Sequence, residues 1–201
     1  MLLGERLKDK RLILASNSPR RRQLLADAGI AFELAVKYEC DESVPADVPV
    51  GDRAEYIAAS KSRAYPNPLA DNEILLTADT VVIVGDEVLG KPADRSEALR
   101  MLRMLSGCTH TVTTGVMFRT RNSSRVFKAE TAVTFRELAD EELEYYVDNF
   151  RPYDKAGAYG IQEWIGYAAV ERIEGSFYNV MGLPVQMVYT QLEEFLDEEK
   201  R

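Results

Sequence analysis

The sequence predicts an α/β fold, and three observations carry that prediction. Leu12-Ile13-Leu14 runs into a tight loop and then a helical pattern that closes at Gly29. Ile74–Val84 is apolar on both alternate faces, as in a central strand covered on both sides. Helical stripes supply the cover: Ala98, Leu99, Leu102 and Leu105 make one, and Val185, Val188, Tyr189, Leu192, Phe195 and Leu196 make another. With 201 residues, 46% of them apolar and 29% charged, the chain suffices for one sizeable domain or one domain with two lobes.

The first of these stretches organises the rest. Ser18 suits an N-cap, Pro19 the first helical position and Gly29 the residue past the helix end. Arg20, Arg21 and Arg22 then crowd a helix start, where unpaired N–H groups and the macrodipole are already positive. A site for an anion resolves the conflict, because helix N-termini bind phosphates and arginine matches their oxygens bidentately. At 100° per residue, Arg21 falls on the Leu24/Leu25 side, Arg20 at its edge and Arg22 toward solvent. Ser16, Arg20 and Arg21 are therefore the candidate phosphate ligands, at the carboxyl end of a strand where open sheets bind them.

Further along, Phe32, Leu34 and Val36 alternate as in a strand. A helix over about Asp52–Tyr65 stops before Pro66-Asn67-Pro68, and its stripe Tyr56, Ile57, Ser60, Lys61 and Ala64 turns Lys61 inward. Gly85-Asp86 reads as a hairpin turn into Glu87-Val88-Leu89, and Asp94 with Glu97 as a capping box ahead of a helix ended by Gly107. Strands are expected at about Thr111–Phe118, Arg125–Phe135 and Ala168–Ile173, with a short acidic helix at Glu141–Val147. Asp154–Gln162 reads as a loop, Pro184 opens the last helix, and the charged end Asp197–Arg201 reads as frayed.

Composition removes several classes of function. A formal charge of −8 opposes a broad nucleic-acid or acidic-membrane surface. No apolar run approaches the ~20 residues of a membrane span, and the N-terminal residues do not read as a signal peptide. Cys40 and Cys108 lack metal-ligand spacing, which fits a reduced, cytoplasmic chain. The single histidine, His110, leaves no material for histidine metal clusters, and these three residues read as structural or surface.

Asp79 is the strongest catalytic candidate, since an aspartate among Ala78, Thr80, Val81 and Val82 is costly to bury without a cation, a proton or hydrogen bonds. Gly85–Pro92 nearly matches a P-loop, but Pro92 stands where a Ser or Thr would bind Mg²⁺ and lacks an N–H. Lys91 remains a candidate point charge. Asp41 and Glu42 are candidates to join Asp79 around a divalent ion, against the alternative of a solvated acidic loop. Trp164 and Tyr159 either stack on a base or pack on the core.

Ala15-Ser16-Asn17-Ser18-Pro19-Arg20-Arg21, Ala78-Asp79-Thr80-Val81-Val82, Gly90-Lys91-Pro92, Leu105-Ser106-Gly107, Thr111–Val116 and Gly182-Leu183-Pro184 follow one another in that order. Together they resemble the blocks of the Maf (septum-formation-inhibitor-like) nucleotide pyrophosphatases, from about Leu12 to Phe195. The resemblance implies one domain over residues 1–201, with a mixed twisted central sheet flanked by helices and two lobes around a cleft, as in inosine triphosphatases. It implies hydrolysis of a nucleoside triphosphate to monophosphate and pyrophosphate, assisted by Mg²⁺ or Mn²⁺. Asp79 corresponds to the proton acceptor, and Arg20, Thr80 and Gln162 to positions tied to substrate choice. Asp154–Gln162 is similar to the subgroup acting on dTTP and UTP. Two departures stand out: Asn17 where Gly is common, and Glu163-Trp164-Ile165 in place of a small, Gly-containing sequence.

Joined to the residue reading, this gives a cradle in which Ser16, Arg20, Arg21, Lys61 and Lys91 hold the triphosphate. Asp79 and Glu42 hold the metal, and Gln162 reads a pyrimidine edge. The alternatives are a pyrophosphatase for modified purine or other nucleotides, and a nucleotide-binding regulator of cell division. The expected partner is the nucleoside triphosphate, with no nucleic acid and no membrane; a homodimer stays open.

Overall fold

The computed structural model describes residues 2–199 and has the mixed α/β architecture expected. A short helix α1 (Leu3–Arg6) leads to β1 (Arg11–Leu14) and α2 (Pro19–Asp27), followed by β2 (Glu33–Leu34). A 3₁₀ turn at Val50–Asp52 opens α3 (Arg53–Ala64). The hairpin β3 (Glu73–Val84) and β4 (Glu87–Leu89) precedes α4 (Arg95–Leu105). Two long strands follow, β5 (Thr109–Arg119) and β6 (Ser124–Phe135), and then α5 (Asp140–Phe150). A 3₁₀ turn at Ala156–Ala158, α6 (Trp164–Ala169), β7 (Val170–Glu174), α7 (Phe177–Met181) and α8 (Val185–Glu198) complete the chain.

One seven-stranded sheet runs in the order β2-β1-β3-β5-β6-β7, with β4 on β3. β1 pairs in parallel with β2 and β3, whereas β3–β4 and β6–β7 are antiparallel, so the sheet is mixed. β3 is buried continuously from Ile74 to Ala78, the pattern of a strand covered on both faces.

The described residues form two compact units, one containing residues up to Asp79, Thr114–Ala129 and Gly182 onward, the other Thr80–Thr113 and Glu130–Met181. In the first, Ile13, Ala15, Leu69 and Leu75 pack together, and Phe118 contacts Phe127 and Phe195 with ring centroids 5.3 and 5.9 Å apart. In the second, Val82, Leu89, Leu102, Val112, Phe135, Tyr146 and Tyr159 belong to one larger core.

Several boundaries depart from the sequence reading. The alternation at Phe32–Val36 yields only the two-residue β2, at the edge of the sheet, where Leu34 is half exposed. The strand expected at Ala168 begins at Val170, since Trp164–Ala169 turns helical first. Pro184 is the cap of α8 rather than its first residue. On α3 the buried stripe is Ala54, Ile57, Ala58 and Ser62, while Ala64 is exposed. α8 runs on to Glu198 and so takes in Asp197 and Glu198 of the end read as frayed; Lys200 and Arg201 lie outside the described residues.

Candidate active site

The turn after β1 forms as its residues dictate. Ser18 caps α2 by accepting from the Arg21 N–H at 3.4 Å, and Gly29 takes a left-handed φ of +68° just past the helix. Ser16 Oγ accepts from the Ser18 N–H at 3.2 Å, which folds the loop on itself. Arg21 is buried against the structure: its Nε donates to the Gly182 carbonyl and its Nη1 to the Ala78 carbonyl, both at 2.8 Å. A longer bond joins Nη1 to Ser16 Oγ at 3.4 Å. Burial lowers the Arg21 pKa, Asp79 and Glu42 oppose that shift, and the Arg20 charge reinforces it. The pairs to Ala78 and Gly182 give Arg21 a structural duty, fixing the backbone just before Asp79. Arg20 is half-buried beside it. Arg22 is not the solvated residue that helix geometry suggested: its Nε is buried, and Nη2 reaches the Ser16 carbonyl at 3.5 Å.

α3 delivers Lys61. Its first turn presses on β5 at Gly115, where a Cβ would overlap the backbone of Ala54 and Glu55, so only glycine permits that approach. Thr77 Oγ1 donates to the Ala58 carbonyl at 2.8 Å, Arg119 donates to Ser62 Oγ and its carbonyl at 2.9 and 2.8 Å, and Tyr38 OH donates to the Lys61 carbonyl at 2.7 Å. Held this way, the Lys61 ammonium donates to Asp79 Oδ1 at 2.7 Å and lies 3.1 Å from Glu42 Oε1. The Lys61 and Asp79 side chains are only 18% and 14% exposed, which strengthens their attraction relative to a surface pair. The inward lysine and the acid on the central strand, chosen separately from sequence, therefore meet.

Asp79 and Glu42 converge on one cation, the Lys61 ammonium. Among the described residues no group of three or more His, Cys, Asp or Glu is gathered to hold a metal by itself. Two carboxylates of this kind suit Mg²⁺, which keeps much of its shell as water and substrate phosphate oxygens. Asp79 and Glu42 are thus the residues that would hold such an ion, with the rest of its shell left to water or a ligand.

The second unit carries the remaining candidates. Thr80 is half-buried on β3, next to Asp79 in the chain. Lys91 is exposed just past β4, with no hydrogen bond or ion pair to the other described residues. Its neighbour Gly90 accepts from the Gly157 N–H at 3.0 Å, which ties Lys91 to the loop of Gln162. Gln162 is exposed, and its amide likewise makes no hydrogen bond among the described residues. The aromatic residues nearby are occupied by protein: Trp164 meets the Tyr145 ring edge-on at 5.1 Å, and Tyr159 OH lies 2.8 Å from His110 Nε2.

The sequence model of the Maf-like protein family matches residues 11–195. The chain belongs to the Maf family. A Maf relative from Parabacteroides distasonis, described as a dTTP/UTP pyrophosphatase, is 53% identical over 95% of this chain and 99% of its own length. Relatives of the same description from Porphyromonas gingivalis and Bacteroides thetaiotaomicron are 50% and 48% identical, over 95% and 96% of this chain and 97% and 99% of theirs. Among solved structures, a HAM1 protein from Coxiella burnetii matches with a TM-score of 0.48 at 15% identity, over 92% of this chain and 99% of that one.

Sequence reasoning on this Maf chain missed two charged residues beside Gln162. Lys155 is 8% exposed and bridges Asp154 Oδ1 at 2.7 Å and Glu163 Oε1 at 3.0 Å. In the sequence Glu163 stands out only as a departure from the family pattern. A lysine and a glutamate eight positions apart give no periodic signal, so the pair becomes visible only once the loop is folded.

Proposed function

We propose that this Maf protein hydrolyses dTTP and UTP to the monophosphate and pyrophosphate. Near-complete coverage by relatives of that description supports the substrate class, and the Lys61–Asp79 pair supports the chemistry. Arg20, the Ser16 loop and Lys91 bind triphosphate oxygens, while Arg21 anchors the turn that presents them. Asp79, with Oδ1 held by Lys61, accepts a proton from water through Oδ2 as the water oxygen bonds to the α-phosphorus. The bond from that phosphorus to the α–β bridging oxygen breaks, and pyrophosphate departs with the electron pair. Asp79 and Glu42 are the ligands for Mg²⁺ or Mn²⁺, and such an ion, when bound, neutralises charge developing on the phosphates. Gln162 offers a donor and an acceptor, matching the N–H and C=O on the edge of uracil or thymine.

The test is pyrophosphate release from dTTP, UTP, CTP and purine triphosphates across a Mg²⁺ titration. The expected result is turnover of dTTP and UTP, a loss of about 10²–10⁴-fold in kcat for Asp79→Asn, and a higher Mg²⁺ requirement for Glu42→Gln. Orthophosphate as product, full activity in Asp79→Asn, or a purine preference would overturn the reading.

A further inference from the structure

The loop ending at Gln162 is closed by charge as well as by the apolar packing of Ala158, Tyr159 and Ile161. Glu163 sits at the N-cap of α6, and its carboxylate is shared by two partners. Oε1 pairs with the Lys155 ammonium at 3.0 Å, and Oε2 accepts from Tyr146 OH. Tyr146 is fully buried on α5, and its oxygen in turn accepts from the Gly160 N–H at 3.0 Å. Four residues therefore form one hydrogen-bonded unit that encloses the loop.

The fit around that unit is tight. A Cβ on Gly160 would stand 2.9 Å from Glu163 Cδ and 3.0 Å from Lys155 Cε, so the backbone lies directly on the ion pair. At Gly166 a Cβ would overlap the Ile161 carbonyl, which packs α6 against the same turn. Within the loop Ala158 is buried with φ +59°, a left-handed alanine that costs about 1 kcal/mol and persists only where its surroundings fix it. Ile161 is buried on one side of Gln162 and Glu163 is clamped on the other, while Gln162 itself stays exposed.

Burying an ammonium and a carboxylate is seldom the most stabilising choice, since apolar residues of equal volume do as well or better. A gain in placement is the alternative use. We propose that Glu163 is a positioning residue for base selection: bridging Lys155 and the Tyr146–Gly160 pair, it fixes the backbone on both sides of Gln162 and so aims the Gln162 amide. The proposal rests on the reading that Gln162 meets the base. With its carboxylate engaged by Lys155 and Tyr146, Glu163 acts on discrimination between bases rather than on the hydrolytic step.

The experiment compares kcat and KM for UTP, dTTP and CTP in the full chain and in Glu163→Gln, Tyr146→Phe, Gln162→Ala and the double variant Glu163→Gln/Gln162→Ala. Glu163→Gln is expected to raise KM for UTP and dTTP about tenfold, equivalent to 1.4 kcal/mol, with kcat within about twofold. The preference over CTP falls by a similar factor. Tyr146→Phe, which leaves the ion pair intact, moves the same quantities in the same direction and keeps the inference testable should Glu163→Gln not fold. In the Gln162→Ala background Glu163→Gln has no further effect on KM, because a residue acting through another is not additive with it. An equal fall in kcat for every triphosphate, unchanged selectivity in folded Tyr146→Phe, or additivity in the double variant overturns the assignment to Glu163. If Gln162→Ala leaves selectivity intact, the base-reading role of Gln162 falls, and that of Glu163 with it.

Discussion

Lys61 Nζ bonds Asp79 Oδ1 at 2.7 Å across eighteen residues of sequence, joining α3 to the central strand at the point where the acid stands. The ammonium orients one carboxylate oxygen and keeps Asp79 and Glu42 from repelling each other. Lys61→Met removes that charge without removing volume. Turnover of UTP is expected to fall about 10²–10³-fold, the scale of one preorganised electrostatic partner. Calorimetric titration is expected to show tighter Mn²⁺ binding, because the ion no longer competes with the ammonium for two carboxylates. Weaker Mn²⁺ binding in a folded Lys61→Met protein would show that lysine and metal do not share these ligands.

Gly115 sets how closely α3 approaches β5, so its effect should reach the site through Lys61. Gly115→Ala forces the helix outward and is expected to cost about 1–3 kcal/mol, the range for overpacking a filled interior. At about 2–4 °C per kcal/mol for a chain of this size, melting should shift down measurably. At a temperature where the variant is fully folded, kcat should still be reduced; wild-type kcat there would mean that Lys61 tolerates the shift.

His110 predicts a pH dependence. It is buried against Phe135 and Tyr159, and burial lowers its pKa from 6.5 to about 4. Its Nδ1 has no hydrogen-bond partner among the described residues, and Nε2 faces Tyr159 OH. The unfolded chain therefore binds more protons than the folded one between these values, and stability rises with pH across that window. The contribution is complete above about pH 6.5 and is lost as pH falls toward 4. Between pH 8 and 5.5 the loss is on the order of 1 kcal/mol, away from the range where carboxylates titrate. Urea melts of the wild type and His110→Gln at these two pH values check it, since the variant should lack this part of the slope.

Where the signals were local, the sequence was readable. Ser18, Pro19 and Gly29 delimit α2 by chemistry acting within a few residues, and Asp94 accepts from the Glu97 N–H at 2.9 Å as its capping pattern implied. The apolar run Ile74–Val84 marked the central strand, and with it the depth of Asp79. Local signals failed where a distant partner decided the outcome. The carbonyls of Ala78 and Gly182 that take up Arg21 lie 57 and 161 residues away, beyond the reach of any local signal. Trp164–Ala169 contains a glycine that argues against a helix, yet Gly166 is there because the Ile161 carbonyl leaves no room for a side chain. The strand expected from Phe32 is only two residues long, Glu33–Leu34, paired with β1 at the edge of the sheet.

The two carbonyl bonds of Arg21 also bear on the order in which the molecule becomes competent. One closes a span of 57 residues and the other a span of 161, and both end on the same guanidinium. Long closures form late, because their entropic cost precedes their reward. Until the segment of Gly182 has docked, the backbone before Asp79 lacks one of its ties. The backbone before Asp79 is tied through Arg21 on both sides only when the segments of Ala78 and Gly182 are both in place.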